Sequence, residues 1–306
     1  MPNVLHDLIF DYTLRNVALG SALLGIVSGV LGSFAVLRRQ GLLGDTLSHA
    51  ALPGICIAFM LTGSRTPIVL LLGAGIAGWL GTLLLLRIVR ETKLSEDAAL
   101  GIILSVFFGV GVVLLTLIQR TNNANQAGLD KYLFGQAAAL VASNVVTFAI
   151  LGGIAVAIVL LLYKEFKLLS FDPEFAASLG FPTRGLDVLL TSLVVVAVMI
   201  GLQTVGVVLM AAMVIGPGAA ARQWTDKLSM MLVLAGLFGA ASGITGAVAS
   251  VLDKSLPTGP MIIMSLTVIV AISILFAPRH GVVPDQDRMR RHRRNFLAVD
   301  AGGPQA

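Results

Sequence analysis

The chain has 306 residues, of which 57% are apolar and only 12% charged, with a net charge of +5 and a mean hydropathy of +0.93. Soluble domains carry about 25% charged residues, so this composition excludes an ordinary water-soluble enzyme or nucleic-acid-binding protein and indicates an integral membrane protein. The single cysteine, Cys56, lies in an apolar run, which leaves no disulfide framework and no thiolate metal cluster.

Uncharged runs long enough to cross the hydrocarbon, about 20 residues each, lie at 16–37, 46–64, 66–86, 98–119, 132–163, 188–221, 228–252 and 255–278. The first is kept as a span, because Met1–Asn16 lacks the basic region of a signal peptide. As one helix, 188–221 would extend roughly 51 Å, far more than a bilayer core. Gln203-Thr204 interrupts it near the middle, so it is read as a tight hairpin of two short spans, giving nine in all. With the C-terminal tail in the cytoplasm and the N-terminus outside, sixteen of the 21 Lys and Arg residues fall on the inner side and five on the outer, as the positive-inside rule requires. Reading 188–221 as one span removes most of that bias. The predicted fold is therefore an all-α polytopic bundle of about nine transmembrane helices. Residues 1–281 form a single membrane domain, and 282–306 a basic cytoplasmic tail expected to be flexible. Arg288, Arg290, Arg291, Arg293 and Arg294 crowd that tail; beside a membrane they suit a topology anchor or anionic lipid better than nucleic acid.

Asp45 and His49 stand four residues apart where the second span begins. At that spacing two side chains share one helix face. If the helix starts near Gln40, Asp45 lies ~8 Å and His49 ~14 Å along it, close to the midplane. His49 is the one histidine within any predicted span. Three readings compete: Asp45 as the helix N-cap, His49 as a core histidine bonded to a carbonyl, or both lining a path and holding a cation in transit. Ionisable groups are costly in a membrane, which favours the third. Carboxylate and imidazole together suit manganese, zinc or iron. Two ligands fall short of the four-ligand shell of a tight structural site, and a pathway needs an ion it can release. Gln203, Met210 and Met213 in the hairpin are candidate helpers along the path, or ordinary packing residues.

Between the fifth and sixth spans, Asp172 is a good N-cap, Pro173 a good first helical residue and Gly180 a natural terminator. They predict a short cytoplasmic helix over 172–180. Phe171, Phe175 and Leu179 repeat every four residues and form an apolar stripe, for lipid or for a groove on a partner protein.

Over residues 16–281 the chain resembles the permease subunits of ABC-type importers for manganese, zinc and iron. The resemblance is carried by Gly44-Asp45-Thr46-Leu47-Ser48-His49-Ala50 with Pro53-Gly54, by Glu96-Asp97-Ala98-Ala99-Leu100-Gly101, by Leu133-Phe134-Gly135, and by Pro257-Thr258-Gly259-Pro260. It implies that Asp45 and His49 contact the metal in the translocation path. It also implies that Asp172, Glu174, Phe175, Ala176, Ala177 and Gly180 form the coupling helix gripped by an ATPase. The stretch 96–135, the length and the basic tail look more like manganese/iron-type members than dedicated zinc permeases. No Gly-Lys dipeptide occurs, so the chain has no Walker A phosphate loop and is not itself an ATP-hydrolysing enzyme. Expected partners are cytoplasmic ABC ATPases, an extracytoplasmic metal-binding protein, a second permease subunit (identical or related) and membrane lipid, in a bacterial-type plasma membrane. No tightly bound cofactor is expected, only the transported divalent ion. Neutral imidazole binds metal and imidazolium does not, so transport is expected to weaken in acid. The rival reading is an ion- or proton-coupled secondary transporter, with Asp45 and His49 as a proton relay and no ATPase.

Overall fold

A computed structural model describes residues 12–64, 66–120, 135, 140–252, 256–279 and 281–283. In chain order the helices are α1 (Tyr12–Leu37), α2 (Leu43–Thr62), α3 (Pro67–Glu91), α4 (Glu96–Arg120), α5 (Ala142–Leu161), α6 (Tyr163–Phe171), α7 (Pro173–Ser178), α8 (Thr183–Thr204), α9 (Val207–Trp224), α10 (Leu228–Leu252) and α11 (Thr258–Phe276). Among the described residues there is no strand. Among the described residues nine helices, α1–α5 and α8–α11, are long and apolar enough to span a membrane. Helices satisfy their backbone polar groups internally, which is what a bilayer demands.

The hairpin is present. α8 ends at Thr204 and α9 begins at Val207, so the break falls just after Gln203-Thr204. Gly206 adopts φ 84° there, a conformation that costs a side-chain-bearing residue energy. Span ends differ from the sequence reading wherever charge was taken as a boundary. α3 runs on through Arg87 and Arg90 to Glu91, and α4 starts on Glu96 and Asp97, because the terminal turns of a membrane helix lie in the polar interface. The fifth helix starts at Ala142, with most of 132–141 outside the described residues. The arginine-rich part of the tail also lies outside them.

α1 is the central helix, buried along most of its length, and packs most extensively on α10. Gly25 and Gly239 make that crossing close: a Cβ on either would fall 2.1 Å from the other's carbonyl oxygen. Membrane helices associate through such contacts because lipid offers no hydrophobic drive to bring them together. α2 lies against α3, α4 and α9. α4, α5 and α11 turn exposed apolar side chains outward, among them Val106, Val113, Ile150, Ile154, Val268 and Ile272. Such surface on a bundle of apolar helices is lipid- or partner-facing.

Candidate functional site

α2 begins at Leu43, with Leu42 in the cap position and no side chain capping it. Asp45 is therefore a first-turn residue, and the N-cap reading does not hold. Relative to a start near Gln40 both residues move toward the helix end. At 1.5 Å per residue Asp45 lies ~3 Å and His49 ~9 Å along the helix, short of the midplane depth expected from the sequence. A first-turn carboxylate complements the positive end of the helix dipole.

The turn of α2 that carries the pair is held from two sides. The Gln40 side-chain amide donates to Glu96 Oε1 at the start of α4, and the Thr46 hydroxyl donates to the Leu100 carbonyl at 3.3 Å. On the other side Gly44 packs on α9, where a Cβ would meet Val214 Cβ at 3.0 Å. Within the turn, the Ser48 hydroxyl donates to the Gly44 carbonyl at 2.6 Å. The result presents His49 Nε2 3.3 Å from Asp45 Oδ1, with side chains 16% and 34% exposed respectively. Phe108 of α4 meets the His49 ring edge to face, centroids 4.6 Å apart and planes at 73°. His49 Nδ1 is buried and has no hydrogen-bond partner among the described residues.

No group of three or more His, Cys, Asp or Glu side chains converges among the described residues. One chain thus offers a carboxylate oxygen and a ring nitrogen facing the same point, open on the Asp45 side. That pair can bind a divalent ion only with further ligands from water or from a second subunit. Met210 and Met213 are fully buried core residues, and the Met210 sulfur lies against Gly201. Gln203 lies in the last turn of α8, and its side chain is outside the described residues.

The predicted short helix is present as α7, with the Asp172 carboxylate accepting from the Phe175 amide at 2.9 Å, Pro173 opening it and Gly180 following at φ 82°. The stripe is divided among elements: Phe171 ends α6, Phe175 is on α7, and Leu179 caps it. All three side chains are exposed, as is Phe181. Glu174 and Ala177 are exposed too, whereas Ala176 faces inward. Behind α7 lies a cavity of about 380 Å³, lined by Ser170, Pro173, Arg38, Arg90, Glu96 and Asp187. Asp187 of α8 pairs with Arg38 at 2.6 Å and Arg90 at 3.3 Å, binding the ends of α1 and α3 to the start of α8. Sequence reading used Asp187 only to bound a span. An acid at the edge of an apolar run, with arginines ending two other spans, was the signal for that cluster. Phe108 carried no such signal, since it is one of many aromatics in apolar sequence.

Residues 10–277 match the ABC 3 transport family. The chain belongs to that family. It is 48% identical over 278 residues to the manganese transport system membrane protein MntC of Bacillus subtilis (strain 168), covering 91% of this chain and 64% of the relative, so it spans somewhat less than two thirds of that protein. It is 47% identical over 289 residues to the zinc transport system membrane protein TroC of Treponema pallidum (strain Nichols), covering 94% of this chain and 97% of TroC. Among solved structures, PsaBC from Streptococcus pneumoniae in complex with Fab superposes with a TM-score of 0.78 at 27% identity, over 90% of this chain and 96% of that one. As a member of the family the chain is a multi-pass membrane permease subunit and not itself an enzyme. This agrees with the bundle and with the order of its motifs.

Proposed function

We propose that this chain is the membrane-spanning subunit of an ATP-driven importer for divalent transition-metal ions, manganese first, with zinc or iron as the alternatives. The observation that carries the reading is the convergence of Asp45 Oδ1 and His49 Nε2, 3.3 Å apart on a membrane helix. With metal–ligand bonds of about 2.1 Å, that separation corresponds to an angle at the ion of about 100°, between octahedral and tetrahedral values, so the spacing is compatible with one ion shared by the two atoms. The relatives MntC and TroC, named for manganese and zinc transport, support the ion class.

In this reading an extracytoplasmic binding protein delivers the ion to the outer mouth. The ion sheds part of its water and takes Asp45 and His49 as ligands, with remaining positions filled by water or by the second permease subunit, identical or related. Oxygen and imidazole nitrogen bind manganese, zinc and iron alike, and an incomplete protein shell releases the ion again. Energy comes from cytoplasmic ABC ATPases gripping α7, whose exposed Phe175 and Leu179 supply an apolar anchor for a protein groove. The charge bias of the loops supports an outer N-terminus and a cytoplasmic C-terminus. A carrier without an ATPase finds no support in the family or its relatives.

The test is metal accumulation in cells lacking this chain, with manganese, zinc and iron measured side by side by mass spectrometry. A selective fall in manganese, restored by the wild-type chain, is expected. Unchanged contents of all three metals under limiting supply would refute the reading.

A further inference from the structure

We propose that Phe108 is a positioning residue for the transported ion: it orients the His49 ring by aromatic contact, whereas ligand histidines are ordinarily oriented by a hydrogen-bond acceptor, and so keeps the imidazole a ligand that lets go. The inference rests on Asp45 and His49 being the ion's station. Nε2 is the nitrogen turned toward Asp45, so an ion shared with Asp45 binds there. A neutral imidazole that gives Nε2 to a metal carries its hydrogen on Nδ1. In metal sites that second N–H almost always reaches a carboxylate, carbonyl or water, which fixes the ring and raises its basicity.

Here Nδ1 is buried without a partner among the described residues. The ring instead meets Phe108 edge to face at 4.6 Å. That geometry orients an imidazole, because the positive edge of one ring seeks the negative face of the other. Ring contact supplies no strong hydrogen-bond acceptor, so the imidazole is aimed without the outer bond that strengthens a ligand histidine's hold on its metal. The pathway thereby gains a defined ligand direction without the added affinity that would trap the ion.

The full chain, purified in detergent, is titrated with Mn²⁺ alone as the probe, free Mn²⁺ being followed by electron paramagnetic resonance. The maximal uptake rate is measured in cells carrying the same variants. Phe108→Gln brings a side-chain oxygen acceptor against the His49 ring, whose Nδ1 is without a partner among the described residues. It is expected to tighten Mn²⁺ binding by about 10- to 100-fold, the range associated with such outer partners, while lowering the maximal uptake rate. Phe108→Leu removes the ring and is expected to weaken binding several-fold. Phe108→Tyr keeps the ring and is expected to restore wild-type binding and rate. A merely structural role would lower expression and uptake without tightening binding in any variant, and that result overturns the inference. Wild-type binding in both Phe108→Gln and Phe108→Leu also overturns it. If Phe108→Gln does not assemble, the contrast between the Leu and Tyr variants decides. Wild-type Mn²⁺ binding by His49→Ala instead removes the ion station itself, and so separates failure of the proposed function from failure of this inference.

Discussion

The crossing of α1 and α10 allows a sharp test of the packing. A Cβ built on Gly239 lies 2.1 Å from the Gly25 carbonyl oxygen and 2.5 Å from its carbon, where ordinary contact begins at 3.4 Å. Both obstacles are backbone, so Gly239→Ala must force the two helices about 1 Å apart at this point. A gap of that size forfeits a quarter to a half of each contact's attraction. With ~0.1–0.2 kcal/mol per atom pair and on the order of 50 pairs at the crossing, the loss is about 1–5 kcal/mol. Overpacking in soluble cores costs about 1–3 kcal/mol and occasionally more, and lipid contact does not compensate for separated helices. The control is one turn away on α10: a Cβ on Gly236 meets nothing closer than 3.7 Å. Gly236→Ala also gains the helix preference of alanine over glycine, up to ~1 kcal/mol. Thermal unfolding of the detergent-purified chain, read by the fluorescence of Trp79 and Trp224, should place Gly239→Ala several degrees below wild type and Gly236→Ala at or above it. Equal midpoints for the two variants would show that the helices do not cross at these glycines.

Two further perturbations probe the end of the bundle that carries Asp187 and α7. Asp187→Asn leaves Arg38 and Arg90 facing an uncharged amide. These pairs are partly solvated, the side chains being 13–37% exposed, so the cost is about 1–3 kcal/mol, visible as a lower unfolding midpoint. Adding Arg38→Ala should cost less than the two single losses summed, since both remove one interaction. Phe175→Asp changes an exposed side chain and should leave the unfolding midpoint unchanged while abolishing co-purification with the ATPase; retained co-purification would exclude α7 as the docking element.

Much of this architecture was legible from sequence because the membrane imposes a narrow rule. A spanning segment must be apolar, about 20 residues long and helical, so uncharged runs locate spans, and the length of 188–221 required a break. Asp172, Pro173 and Gly180 fixed the short helix because capping chemistry is local. The rules failed where the cause was not local. Charges mark where water begins, not where helices stop, which is why α3 continues to Glu91 and the start of α2 was misplaced by three residues. Phe171 fell outside α7 because Asp172 breaks the helix before it, dividing a stripe that simple spacing joins. The Asp45–His49 pair was visible because its two members lie on one helix. Its setting was not: Phe108, Gln40–Glu96 and Gly44–Val214 join residues far apart in sequence, and only the packed bundle brings them together.

The central claim is that the ion passes between Asp45 and His49. Energised manganese uptake by cells that depend on this chain tests it most directly, comparing wild type with Asp45→Asn and His49→Ala at matched membrane levels and with ATPase association verified for each. Both variants are expected to assemble, with uptake falling to the level of cells without the chain. Uptake at the wild-type rate in either variant would contradict the claim.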